Sequence, residues 1–75
     1  MARSVTKRSV RIAERKTSIS VEDNFWQSLK DIAEERNCSV DELITQIKEI
    51  SDQRNLSSAI RVFVLKHFRE KAANR

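Results

Sequence analysis

The chain has no glycine and no proline. Its turns must therefore come from Asn, Asp and Ser, whose short polar side chains tolerate the left-handed region or cap helices. Cys38 is the only cysteine, so no disulfide within the chain is possible. Cys38 and the single His67 stand far apart and lack the clustered spacing of a zinc site. No metal or other cofactor is expected. No stretch approaches the roughly 20 apolar residues of a membrane span. No apolar segment follows the basic N-terminus as it would in a signal peptide, so a cytoplasmic location and no membrane partner are expected. There is no Gly-rich phosphate loop, no Cys–His pair and no paired carboxylates in an evident pocket, so catalysis is not expected.

What remains is a chain of 75 residues. One domain of this size buries a modest core and often needs a partner chain to be stable. The charge is unevenly placed. Residues 1–16 hold six basic groups against Glu14, a net of +5, while residues 17–75 hold nine basic groups against ten acidic ones. Basic segments of this kind suit nucleic acid or acidic surfaces.

Lys16–Val21, "KTSISV", alternates strictly, which is the mark of a half-buried strand. Thr17, Ile19 and Val21 take one side; Lys16, Ser18 and Ser20 take the other. Val10–Ile12 alternates weakly and would either extend this strand or fold back on it. The intervening "AER" is a poor turn. Residues 1–15 are therefore expected to form a flexible basic arm, and no second strand of comparable quality follows.

The rest reads as helices. Helix A is expected over about 22–37, with Ser20 or Val21 near its cap, a stripe of Phe25, Leu29, Ile32 and Ala33, and Asn37 as the left-handed residue that ends it. Helix B, about 40–51, opens on a capping box, Ser39 with Glu42, and carries Val40, Leu43, Ile44 and Ile47 as its stripe, with Ile50 as a candidate for its end. Helix C, about 56–72, has Asn55 or Ser57 as cap. Leu56, Ala59, Ile60, Phe63, Val64, His67 and Phe68 form its main face, with His67 as a packed or rim residue. Val62 and Leu65 add apolar surface on another side, which suggests a second chain there.

One strand, two helices joined by a short turn, and no partner for the strand: "TSISVEDNFWQSLKDIAEERNCSVDELI" (Thr17–Ile44) resembles the ribbon-helix-helix family of DNA-binding regulators. "RNLSSAIRVFVLKHF" (Arg54–Phe68) extends beyond the minimal family fold. It resembles the last helix of a small bacterial subgroup whose strand is also preceded by a basic "KRSV"-like stretch. The resemblance implies a mainly α fold with one short strand per chain. Two chains would intertwine as a homodimer, their strands forming an intermolecular antiparallel ribbon that enters the major groove of double-stranded DNA. It puts Lys16, Ser18 and Ser20 on the base-reading face. The dimer core would hold Thr17, Ile19, Val21, Phe25, Leu29, Leu43, Ile44, Ile47 and Phe63. Arg3, Lys7, Arg8, Arg11 and Arg15 would meet phosphates from the arm. The backbone opening helix B at Ser39 and Val40, or that opening helix C, would anchor a phosphate.

Lysine donates to guanine O6 and N7, and serine pairs with almost any base, so the reading face is permissive. The expected function is that of a homodimeric transcriptional regulator, a repressor of higher order on DNA, associated with the nucleoid. The alternative is an interaction module or antitoxin-like protein that binds another protein through helix C, with Val62 and Leu65 as the contact.

Overall fold

A computed structural model of the chain describes residues 5–51 and 55–73. Two strands are followed by three helices: β1 (Val5–Ile12), β2 (Arg15–Glu22), α1 (Asp23–Glu35), α2 (Val40–Ile50) and α3 (Leu56–Ala73). The strand at 15–22 therefore has a partner within its own chain. β1 pairs antiparallel with β2, from Val5 opposite Glu22 to Ile12 opposite Arg15. This corrects two expectations, that residues 1–15 form an arm and that each chain has one strand. Arg3 lies outside the described residues.

The reason is at the turn. Only Ala13 and Glu14 separate the strands, and both have positive φ, 51° and 65°. A two-residue hairpin of type I′ needs this at both positions, and Asn-Gly is its usual sequence. Here neither residue favours the left-handed region, which costs about 1–2 kcal/mol per residue. Replacing Ala13-Glu14 by Asn-Gly relieves that strain. The double variant is expected to be more stable by about 1–2 kcal/mol, after the added flexibility of glycine in the unfolded chain. A higher urea midpoint at unchanged slope checks it; an equal or lower midpoint would show the turn is unstrained.

The inner face of the hairpin explains why the strained turn is tolerated. Val10, Ile12, Ile19 and Val21 are buried in one core with Leu29, Ile32, Ala33, Leu43, Ile44, Ile47, Ala59, Ile60 and Val64. Val10 and Ile12 are only 3% and 6% exposed. The alternation of β1 is masked in the sequence by Arg8, which also turns inward. Its guanidinium stacks over Trp26 at 4.7 Å and donates to Asp23 Oδ1 at 3.3 Å. Its Nε is buried without a hydrogen-bond partner. Arg8, expected on phosphates, is thus half-buried and already paired with Asp23 in this chain.

Most residues expected in a core shared between chains are covered by this one. Ile19, Val21, Leu29, Leu43, Ile44 and Ile47 are buried. Phe25 and Phe63 are half-buried, with the guanidinium of Arg61 6.0 Å from the Phe25 ring centre and that of Arg36 5.1 Å from the Phe63 ring centre. Thr17 is exposed in the single chain. It stands opposite Val10, toward the hairpin tip, where its neighbour Arg15 is exposed as well.

The helices end where local chemistry ends them. The N-cap of α1 is Glu22, with no side-chain cap, rather than Ser20 or Val21. Asn37 has φ 57°, and the amides of Asn37 and Cys38 donate to the carbonyls of Glu34 and Ala33 at 3.1 and 3.0 Å. This is the paired pattern of a Schellman motif. At α2 the Ser39 amide donates to Glu42 Oε1 (2.9 Å) and the Glu42 amide to Ser39 Oγ (3.1 Å). Asn55 caps α3 by accepting from the Ser58 amide at 3.2 Å.

Polar contacts tie α3 to the other elements. Arg61 Nε donates to Glu22 Oε1 at 2.9 Å, and the Ser20 amide donates to Ser57 Oγ at 3.2 Å. Lys71 Nζ donates to Glu35 Oε2 at 2.6 Å. The hydrogen bond and charge of Lys71, and more weakly the charges of His67 and Arg36, hold the Glu35 carboxyl below its ordinary range. A lowered carboxyl pKa contributes stability above the ordinary value and loses it as pH falls through the lowered one. Glu35 is solvent-exposed, so the effect is small.

Candidate nucleic-acid interface

The hairpin register decides what its outer face holds. In a two-residue hairpin the residues flanking the turn, Ile12 and Arg15, form a hydrogen-bonded pair, and the pairs then alternate. The next pair out, Arg11 with Lys16, is a non-hydrogen-bonded pair, as are Ser9 with Ser18 and Lys7 with Ser20. All six of these residues are exposed, and all six share the face away from the core. The Ser20 amide confirms the alternation, since it points off the hairpin to Ser57.

The structure thus brings together Lys16, Ser18 and Ser20, read from the sequence as one face, with Lys7 and Arg11, read as arm residues. Ser9 was missed. Its signal was the weak alternation of "KRSVRI", in which Lys7, Ser9 and Arg11 fall opposite Arg8, Val10 and Ile12. The face measures about 13 Å from Lys7 to Arg11 at about 3.3 Å per residue. A two-stranded ribbon of this kind is one of the two elements the major groove admits.

The electrostatics of this face are one-sided. Lys7, Arg11 and Lys16 make no ion pair among the described residues, and Arg11 stands directly opposite Lys16. Like charges placed so are unfavourable without an external anion. Of the acids near the ribbon, Glu14 sits exposed in the turn, and the two at the far end are engaged. Glu22 is held by Arg61 at 2.9 Å, and Asp23 accepts from Thr6 Oγ1 at 3.0 Å and from Arg8. Arg15 is exposed at the tip beside the turn. Three cations and three hydroxyls on a flat strip fit a polyanion that also offers hydrogen-bonding edges.

The helix N-termini offer less. The capping box uses the Ser39 amide, and Asp41 and Glu42 occupy the first turn of α2 beside Val40. A carboxylate there competes with a phosphate for the positive end of the helix. At α3, Ser57 is turned to the strand. On the same helix Val62, Leu65 and Phe68 stay exposed. Among the described residues no group of three or more His, Cys, Asp or Glu could hold a metal ion, and no helix is long and apolar enough to cross a membrane.

Compared with known proteins, residues 5–68 match the ribbon-helix-helix domain. The match begins at Val5, the first residue of β1, and so takes in the whole hairpin. No curated protein and no solved structure matches the chain. The members of the matched family are in general DNA-binding regulators that dimerise. With its ribbon, its two linked helices and a third helix behind them, the chain belongs to the ribbon-helix-helix family.

Proposed function

We propose that the protein is a homodimeric, sequence-specific DNA-binding regulator of transcription whose hairpin enters the major groove outer face first. The observation that carries this reading is the cluster of Lys7, Arg11 and Lys16 on one exposed face, without a carboxylate partner among the described residues. In this reading the three cations meet phosphates and guanine edges, and Ser9, Ser18 and Ser20 face the bases between them. Serine has a donor and two acceptors on a short stem, so each serine contact discriminates weakly, at or below the low end of about 1–3 kcal/mol per good bidentate pair. Specificity then rests on the doubled site of a dimer and on DNA shape as well.

This account differs from the family picture in one respect. β1 and β2 pair within each chain, so a dimer carries two hairpins. Titrating a labelled duplex with the full chain tests the reading. Binding that weakens steeply with salt supports it, and binding that is indifferent to salt sinks it.

A further inference from the structure

We infer that the groove between α2 and α3 binds a small organic acid, with its apolar body in the groove and its carboxylate on Arg36 and Lys66. No strand residue lines the groove. The inference therefore goes beyond the DNA reading and does not rest on it.

The groove has a volume of about 370 Å³. Sites for small organic molecules span about 300–1,000 Å³, so this one suits a compact ligand. Ile47, Ala59, Val62 and Phe63 lie along it. Ile47 and Ala59 belong to the buried core, so the floor is apolar and reaches the core itself. An apolar body placed there leaves water. Small-molecule sites combine such a floor with a few placed polar groups that fix orientation.

Here those groups stand at the rim. The charged side chains that line the groove are Arg36, Lys66 and Glu70, all exposed. Arg36 is held at both ends. Its amide donates to the carbonyls of Ile32 and Ala33 at 3.0 and 3.2 Å, and its guanidinium lies over the Phe63 ring, 5.1 Å from the centre. A guanidinium on a ring uses its face. The N–H fork at its edge stays available to a carboxylate, which it can grip with two bonds. No acid fills that fork among the described residues. Glu35, the neighbour of Arg36 in the chain, is taken by Lys71 at 2.6 Å and lies 3.6 Å from His67 Nε2. Lys66 likewise makes no ion pair among the described residues. Two cations against the single carboxylate of Glu70 leave the rim positive, so it favours an anion over an amine.

The test titrates the isotope-labelled full chain with phenylacetate at constant ionic strength. Phenylacetamide and phenethylamine serve as its neutral and cationic analogues. Phenylacetate is expected to give saturable shifts in the amide resonances of Ile47, Ile50, Ala59 and Phe63. Its dissociation constant should be on the order of millimolar, as suits so small a ligand. Both analogues should bind about tenfold more weakly. Arg36→Gln, a change at an exposed side chain, should leave the melting temperature within a few degrees and weaken phenylacetate about tenfold or more. Arg36→Lys, which keeps the charge and loses the fork, should weaken it less. Glu70→Gln should tighten it. The absence of saturable shifts in the groove would overturn the inference, as would equal binding of the three probes or an Arg36→Gln chain that binds like the wild type. A preference for phenethylamine would overturn it by assigning the groove to Glu70 and a cation. Shifts of the same amides that follow chain concentration with no probe present would show a second copy seated in the groove, and would overturn it too. DNA enters none of these readouts, so failure here is distinct from failure of the DNA reading.

Discussion

Deleting residues 1–12 is expected to abolish cooperative folding. A flexible arm would be dispensable, but β1 is not an arm. Val10 and Ile12 are among the thirteen residues of the core, and each contributes about 1.5–3 kcal/mol by leaving water. The deletion also strips β2 of its ladder and uncovers Ile19 and Val21. A domain this small has little stability to spare; about 5 kcal/mol is the low end for folded proteins. The truncated chain should show no sigmoidal thermal transition in circular dichroism. The single change Val10→Asp, which buries an unpaired carboxylate, should lower the melting temperature of the full chain steeply. A truncated chain that melts within a few degrees of the full one would mean that residues 5–12 do not belong to the fold.

Replacing Lys7, Arg11 and Lys16 together by alanine is expected to weaken binding to every duplex while leaving the fold intact. Each phosphate neutralised contributes about 0.9 to the slope of log K against log salt. Loss of all three should flatten that slope by about 2.7 per chain and lower affinity on the order of a hundredfold or more at moderate salt. Stability should move the other way. The triple variant removes the Arg11–Lys16 opposition, so it should unfold at slightly higher urea. Weaker binding with a firmer fold identifies residues kept for a ligand rather than for packing. An unchanged salt slope would remove the ribbon's outer face from the account.

Much of this was legible in the residues because it is local. The alternation of "KTSISV" assigned the two faces of β2, and "SVDE" carries the start of α2 in a pair of side chains three residues apart. Asn37 does for α1 what glycine does elsewhere. What was not legible depends on contacts between distant residues. The turn at Ala13-Glu14 has none of the usual turn chemistry, and its strain is offset by the burial of Val10 and Ile12. Arg8 reads as a surface cation in any local window. It turns inward because Trp26 and Asp23, 18 and 15 residues away in the numbering, receive it. Ser9 belongs to the candidate site only through its pairing with Ser18. Thr17 lies on the face its alternation gives, opposite Val10, and is exposed in the single chain, since alternation gives the face of a residue and not what covers it.

The central claim is that the outer face of the hairpin reads base edges. It is tested most directly by selecting bound duplexes from a random pool with two proteins, the full chain and its Ser9, Ser18 and Ser20→Ala triple variant. Neither change of face nor change of charge is involved, so the salt slope should be shared. The account predicts that the triple variant enriches a different or less defined site, because three base-facing hydroxyls are gone and the phosphate contacts are not. Enrichment of the same site with the same affinity by both proteins would contradict it.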